Sequence, residues 1–197
     1  MSPTDEALKS PFQRGVDCGW IFGIYFMAMF LAWVFSESFT VLFLLVPVLA
    51  IWFPFIVYRL QKSEYQIKNA EFLGMRPYGP FEVTDMWIYG IVMISCGTLI
   101  SSVLIMVYLK WIDPEYVVRQ LRRAIEVYNS TSDPSLAQAA TMARALIDNQ
   151  AVPTASTITL SLGLFTVASG SLVAGLMAVL VKLRSYSFGK KPKTIKK

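Results

Sequence analysis

Hydrophobic positions along the chain are gathered into four long runs, at residues 16–35, 39–58, 86–109 and 155–181. A helix needs about 20 mostly apolar residues to cross a hydrocarbon layer about 30 Å thick, because its backbone N–H and C=O groups must all be bonded within the segment. Each run reaches that length, and Asp17 is the one charged residue among them. The pattern predicts an all-α integral membrane protein with four transmembrane helices.

The connection between the third and fourth runs has an amphipathic pattern instead. An Asp-Pro pair occurs in it twice, as Asp113-Pro114 and as Asp133-Pro134. An aspartate carboxylate caps a helix start well, and proline is tolerated at the first helical position, where its missing N–H would have no partner. We therefore predict two short helices, at about 114–129 and 134–149, that form a helical hairpin. Asp113 and Pro114 are its helix-cap signature.

Lysine and arginine are distributed unequally over the two sides of the predicted spans. The side with both termini and the connection 59–85 carries 13 of them, and the opposite side carries 5. Basic residues accumulate on the cytoplasmic side of a membrane, so we expect cytoplasmic termini and an extracytoplasmic hairpin. The four-helix domain is then residues 1–185, and residues 186–197 form a basic cytoplasmic tail. This tail either binds anionic lipid head groups or only enforces the orientation.

Small side chains form a narrow face on the fourth span. They recur every four residues, at Thr166, Gly170, Ala174 and Ala178. Such faces let helices approach closely in lipid, where apolar side chains gain no hydrophobic drive to associate. A weaker face on the third span, at Gly90, Gly97 and Ser101, is the expected packing partner. The alternative is a homo-oligomer that associates through the fourth span.

Composition excludes much catalytic chemistry. Hydrophobic residues make up 55% of the chain and charged residues 16%, and histidine does not occur. Imidazole is therefore unavailable as a base or as a metal ligand. Cys18 and Cys96 lie far apart in apolar runs, which is the spacing of neither a metal site nor a redox pair. With no phosphate-binding glycine loop and no nucleophile elbow, we expect no enzymatic activity, cofactor, metal or nucleic-acid partner.

Charged residues at the ends of the second connection form the candidate polar cluster. They are Arg59, Lys62, Glu82 and Asp85. Pro47 and Pro54 are expected to bend the second span, because each removes an intrahelical hydrogen bond. A bent helix beside a polar cluster could line a substrate cavity, although no spacing connects these residues to a reaction.

The stretch "VYLKWIDPEYV" resembles the DUF4199 family, small inner-membrane proteins of Bacteroidota with a domain of unknown function. The residues that match its central signature are Tyr108, Ile112, Asp113, Pro114 and Tyr116, and those that match its last span are Gly170, Leu172, Val173 and Gly175. The resemblance implies a bacterial inner-membrane location and brings no catalytic residues. It also suggests a membrane glycosyltransferase of the polyprenyl-phosphate type as a partner.

Two classes of function follow from these observations. Uncharged spans and small-residue faces favour a non-enzymatic membrane scaffold or accessory subunit in contact with membrane lipids and a protein partner. The alternative is a small transporter or lipid translocator that uses a cavity near the bent second span.

Overall fold

The computed structural model describes residues 10–68, 82–129 and 134–189, which form six α-helices and no β-strand. The helices are α1 (Pro11–Phe35), α2 (Val41–Lys68), α3 (Val83–Val107), α4 (Tyr116–Asn129), α5 (Pro134–Asp148) and α6 (Ala155–Gly189). Within these ranges α1, α2, α3 and α6 are long and apolar enough to cross a membrane. The predicted all-α membrane fold with four spanning helices is therefore confirmed.

α1 begins five residues before the apolar run that predicted it, since the run starts at 16 and the helix at Pro11. A capping box explains the early start. Ser10 Oγ accepts a hydrogen bond from the Gln13 amide at 3.2 Å, and Gln13 Oε1 accepts one from the Ser10 amide at 3.0 Å. This arrangement bonds two backbone donors at the helix start. Arg14 therefore lies within α1, and the helix sets the direction in which its side chain leaves the backbone.

α2 continues to Lys68, about three turns past the end of its apolar run at Tyr58. Pro47 and Pro54 both lie inside it without ending it. The last turns contain Gln61 and Glu64, which the sequence places outside the predicted span. They are helical and buried in the structure.

The chain divides into two compact units. The first contains the described residues up to Ser101 and those from Leu164 onward. Its core lies between the four long helices, and the buried hydrophobic side chains at its centre are Phe22, Val57, Tyr89, Met93, Ile94 and Ala174.

α1 packs against α3 through a glycine face. A Cβ atom placed on Gly15 would lie 2.8 Å from Val92 Cβ, and one on Gly23 would lie 2.9 Å from Ile100 Cγ2. Gly19, between them, faces Cys96 in the same way. Distances this short leave no room for a side chain at these three positions of α1. The two helices are thus held at the close approach that glycine permits.

The second unit is Ser102–Gly163. α3 ends there in a π-helical turn, Tyr108–Ile112, which closes with a 2.9 Å hydrogen bond from the Asp113 amide to the Tyr108 carbonyl. Asp113 leaves the helical conformation, with φ −142° and ψ 76°, because the residue before a proline is disfavoured in the α region. Pro114 lies in the turn that follows. α4 then starts at Tyr116 and packs against α5.

Some predicted features lie outside the described residues. They are the second cap at Asp133, residues 69–81 of the connection 59–85 and the basic residues of the tail from 190 onward. The side of the membrane on which α4 and α5 lie stays a prediction.

Candidate functional site

Gln61 connects three helices at one end of the first unit. Its side chain is completely buried, and its Nε2 atom donates to the carbonyl oxygens of Met86 on α3 and Ala174 on α6, at 3.0 Å each. A carboxamide can do this because its nitrogen carries two N–H groups. One side chain of α2 therefore ties α3 and α6 to the same point.

Arg14 and Glu64 form a buried ion pair beside it. Arg14 Nε donates to Glu64 Oε2 at 2.8 Å, and Arg14 Nη2 lies 2.8 Å from the same oxygen. The exposed fraction is 12% for the arginine side chain and 1% for the glutamate side chain. The pair joins the first turns of α1 to the last turns of α2. We call Arg14, Gln61 and Glu64 the polar junction.

The polar junction follows the buried stripe of α2. Val57, Gln61 and Glu64 are all buried and lie at helical spacing i, i+4 and i+7, so they share one face. Charged residues are tolerated there because the junction lies near helix ends and not at the centre of the spans. Sequence reasoning missed Gln61 and Glu64, since both follow the apolar run. The signal that identifies them is this periodicity, continued past Tyr58.

Two oxygens of the polar junction accept no hydrogen bond from the described residues. They are Gln61 Oε1 and Glu64 Oε1, and both are buried. A buried acceptor without a donor is costly, and each of these oxygens can accept a further hydrogen bond. The described residues contain no group of three or more histidine, cysteine, aspartate or glutamate side chains that could hold a metal ion.

A cavity of about 420 Å³ lies between α2 and α6, and its α2 residues adjoin Gln61 and Glu64 in the sequence. We call it the α2–α6 cavity. The polar side chains that line it are Tyr58, Lys62, Tyr65, Gln66, Arg184 and Ser185. Ser185 Oγ lies 3.3 Å from the Tyr65 hydroxyl and donates to the Lys182 carbonyl at 2.8 Å. The described lining contains two cationic groups and no carboxylate.

The candidate polar cluster predicted from the sequence is divided in the structure. Lys62 lines the α2–α6 cavity, whereas Arg59 is exposed on α2 outside the lining. Asp85 Oδ2 accepts a hydrogen bond from the Glu82 amide at 2.9 Å and so caps the start of α3. Among the described contacts, no ion pair joins either basic residue to either of these acids.

Asp113 of the helix-cap signature is also held by side-chain hydrogen bonds. Arg119 Nη1 donates to Asp113 Oδ1 at 3.1 Å, Arg119 Nη2 donates to Oδ2, and the Tyr108 hydroxyl lies 3.3 Å from Oδ2. The Arg119 hydrogen bonds hold the pKa of the Asp113 carboxyl below its usual value. Asp113 thus connects the π-helical turn to the first turn of α4.

The small-residue face of α6 lies against α3. Ala174 and Ala178 are completely buried, Gly170 is buried and Thr166 is half-buried. A Cβ atom on Gly90 of α3 would lie 2.7 Å from Ala174 Cβ, and one on Gly170 would lie 2.8 Å from Ile94 Cγ2. This face is therefore occupied within one chain.

The comparisons with known proteins identify a family and no activity. A family described as "Protein of unknown function (DUF4199)" matches residues 17–182. The match spans α1 to α6, so the chain belongs to this family, as its central signature indicated. Searches of curated proteins and of solved structures gave no match.

Proposed function

We propose that this member of the DUF4199 family is a non-enzymatic membrane scaffold or accessory subunit of a membrane complex. The observation that carries the proposal is the close packing of the first unit. α3 meets both α1 and α6 across glycine and alanine positions. Four aromatic rings with centroids 5.7–6.2 Å apart fill the space between α1 and α2, those of Phe22, Tyr25, Phe26 and Phe53. A bundle packed in this way supports a scaffold, which binds a partner, more than a transporter, which moves a solute.

The outward faces of α2 and α6 supply the surface that a scaffold needs. Large apolar side chains are exposed there, among them Phe55 on α2 and Leu172 on α6. In a bilayer such faces contact lipid or the helix of another protein. The partner that the family resemblance suggests is a polyprenyl-phosphate glycosyltransferase. Self-association is the second possibility, and it would use one of these outward faces because the small-residue face of α6 is already covered by α3.

Site-specific photocrosslinking in native membranes tests the proposal. A photoreactive amino acid replaces Phe55 or Leu172 in the full-length tagged chain, and Met93, which is completely buried, is the matched control. We expect a discrete crosslinked species that contains another membrane protein or a second copy, from at least one exposed position and not from Met93. Crosslinks to lipid only, from both exposed positions, would contradict a scaffold role.

The orientation belongs to the same proposal. The 13 to 5 distribution of basic residues supports a bacterial inner-membrane protein with cytoplasmic termini. Single cysteines at Ser132 and Thr194, in a chain with Cys18 and Cys96 changed to alanine, report the two sides. A membrane-impermeant thiol reagent added outside should label position 132 and leave position 194 unlabelled. The reverse labelling pattern would show that the termini lie outside and that position 132 is cytoplasmic.

A small transporter or lipid translocator is the second candidate. The observations that favour it are the buried Arg14–Glu64 pair and the α2–α6 cavity, because buried charges among spanning helices can mark a solute pathway even near the helix ends. Purified protein in vesicles should then move a labelled phospholipid between leaflets. Glu64→Gln should abolish this movement, and Arg59→Gln should leave it unchanged. Vesicles with wild-type protein that match empty vesicles would exclude this candidate for phospholipids.

A further inference from the structure

We infer that the α2–α6 cavity binds the phosphate group of an anionic phospholipid. This inference goes beyond the scaffold role and is independent of it. Lys62 and Arg184 bring two positive charges to the described lining, and no carboxylate offsets them there. Arginine presents a fork of N–H donors that matches phosphate oxygens, and lysine adds a point charge. The cavity therefore has the charge that a phosphate anion needs.

Hydroxyl groups complete the set of donors. Tyr58, Tyr65 and Ser185 all line the cavity. The Tyr65 and Ser185 hydroxyls lie 3.3 Å apart. Ser185 donates its one O–H to the Lys182 carbonyl, so the tyrosine hydroxyls supply the O–H donors of the lining. A volume of about 420 Å³ lies within the usual range of small-molecule pockets, roughly 300–1,000 Å³. The site can therefore accept a head group and not only a single ion.

The position of the cavity along the helices selects a lipid over a soluble anion. Tyr58 and Val181, which both line it, are the last residues of the apolar runs of α2 and α6. The cavity accordingly lies where the hydrocarbon layer gives way to the head-group layer. Basic pockets between spanning helices on the cytoplasmic side are a known means of binding anionic head groups.

Two apolar tracks lead from the cavity toward the middle of the spans. On α2, Phe55 lies seven residues before Lys62 and therefore on the same face, and its ring is exposed. On α6, Leu176 and Leu180 precede Arg184 at intervals of four and are exposed too. Acyl chains attached to a phosphate in the cavity can lie along these tracks. Free phosphate has no apolar part that could contact these tracks.

Native mass spectrometry of the full-length protein in detergent micelles tests the inference. The probes are phosphatidylglycerol, phosphatidylcholine and inorganic phosphate. We expect phosphatidylglycerol to bind in preference to phosphatidylcholine. Lys62→Gln and Arg184→Gln should each weaken phosphatidylglycerol binding about tenfold, as loss of a charge-assisted hydrogen bond does. Arg59→Gln removes an exposed charge at a similar depth on the same helix, so it should change binding by less than about twofold.

The remaining outcomes would overturn the inference. If Arg59→Gln weakens binding as much as Lys62→Gln and Arg184→Gln do, the attraction belongs to general surface charge. If excess inorganic phosphate displaces phosphatidylglycerol with the same dependence on Lys62 and Arg184, the site takes free phosphate. Both side chains are exposed, so the variants should fold. Unchanged melting curves confirm that the cavity is compared in intact protein.

Discussion

Glu64 Oε2 lies 2.8 Å from both Nε and Nη2 of Arg14, so a single carboxylate oxygen joins the start of α1 to the end of α2. The glutamate side chain is 1% exposed, and the guanidinium group is the cation that compensates its charge. A buried charge depends on its partner far more than an exposed one does. This relationship makes the polar junction a sensitive place at which to perturb the first unit.

Arg14→Gln should lower the free energy of unfolding by about 3–5 kcal/mol, because it leaves the Glu64 carboxylate buried without its cation. The double variant Arg14→Met, Glu64→Leu should recover most of that loss, since no charge then remains. Tryptophan fluorescence during denaturant unfolding in micelles measures both. Arg59→Gln, which changes an exposed residue of α2, is the control. A double variant no more stable than Arg14→Gln would mean that the pair contributes something besides charge compensation.

Substitutions of Gln61 should separate its two donor contacts from simple packing. Gln61→Glu keeps the shape but turns carboxylate oxygens toward the Met86 and Ala174 carbonyls, which should cost about 3–5 kcal/mol as an uncompensated buried charge. Gln61→Leu loses two hydrogen bonds and also an unpartnered oxygen, so it should cost about 1–2 kcal/mol. Unfolding at neutral and at acidic pH measures both costs.

The difference in the free energy of unfolding between Gln61→Glu and Gln61→Leu should become smaller at acidic pH, because protonation removes the charge of the introduced glutamate. A Gln61→Glu protein as stable as wild type at neutral pH would contradict the hydrogen bonds to α3 and α6.

Two glycine substitutions of the same kind should have opposite results. A methyl group on Gly97 would meet the backbone carbonyl carbon of Phe22 at 2.8 Å, so Gly97→Ala must push α1 away from α3. We expect a loss of about 1–3 kcal/mol. On Gly175 the nearest atom is Trp87 Nε1 at 3.4 Å, an ordinary contact. Gly175→Ala should therefore be neutral or stabilising by up to about 1 kcal/mol, from helix propensity.

Thermal unfolding of both glycine variants in one detergent gives the comparison. Equal melting temperatures for the two would show that α1 and α3 do not approach as closely as their glycines permit.

The carboxyl pKa of Asp113 should lie below the usual aspartate value of about 3.9, because hydrogen bonds from Arg119 favour the charged form. A depressed pKa contributes stability that is complete above the unfolded value and is lost as the pH falls through the folded value. The contribution of this contact should therefore be lost only below about pH 4. A ¹³C NMR titration of labelled aspartate, assigned with Asp113→Asn, measures the pKa directly.

Arg119→Gln should raise the Asp113 pKa toward its ordinary value, and Arg122→Gln, an exposed position on the same helix, should not. An Asp113 pKa that is unchanged by Arg119→Gln would show that the hydrogen bonds from Arg119 are not what lowers it.

Local chemistry explains what could be predicted from the sequence. Each apolar run is long enough to require a spanning helix, whatever surrounds it, because its backbone has no partner in lipid other than itself. Pro114 likewise ends the helical course of α3 at Asp113 through a steric clash between neighbouring residues. The central signature was also sufficient to identify the family. None of these features depends on a distant part of the chain.

The polar junction needed the tertiary structure, since helical periodicity shows which residues share a face and not which neighbour that face meets. Glu64 looks like an ordinary charged residue after an apolar run, and the cation that compensates it lies 50 positions earlier. Gly15, Gly19 and Gly23 recur every four residues along α1, but only the approach of α3 makes them a contact face. The sequence by itself determined which segments cross the membrane, because that energy is local to each helix. The tertiary structure decided which polar groups become buried, because burial depends on the helices that pack around them.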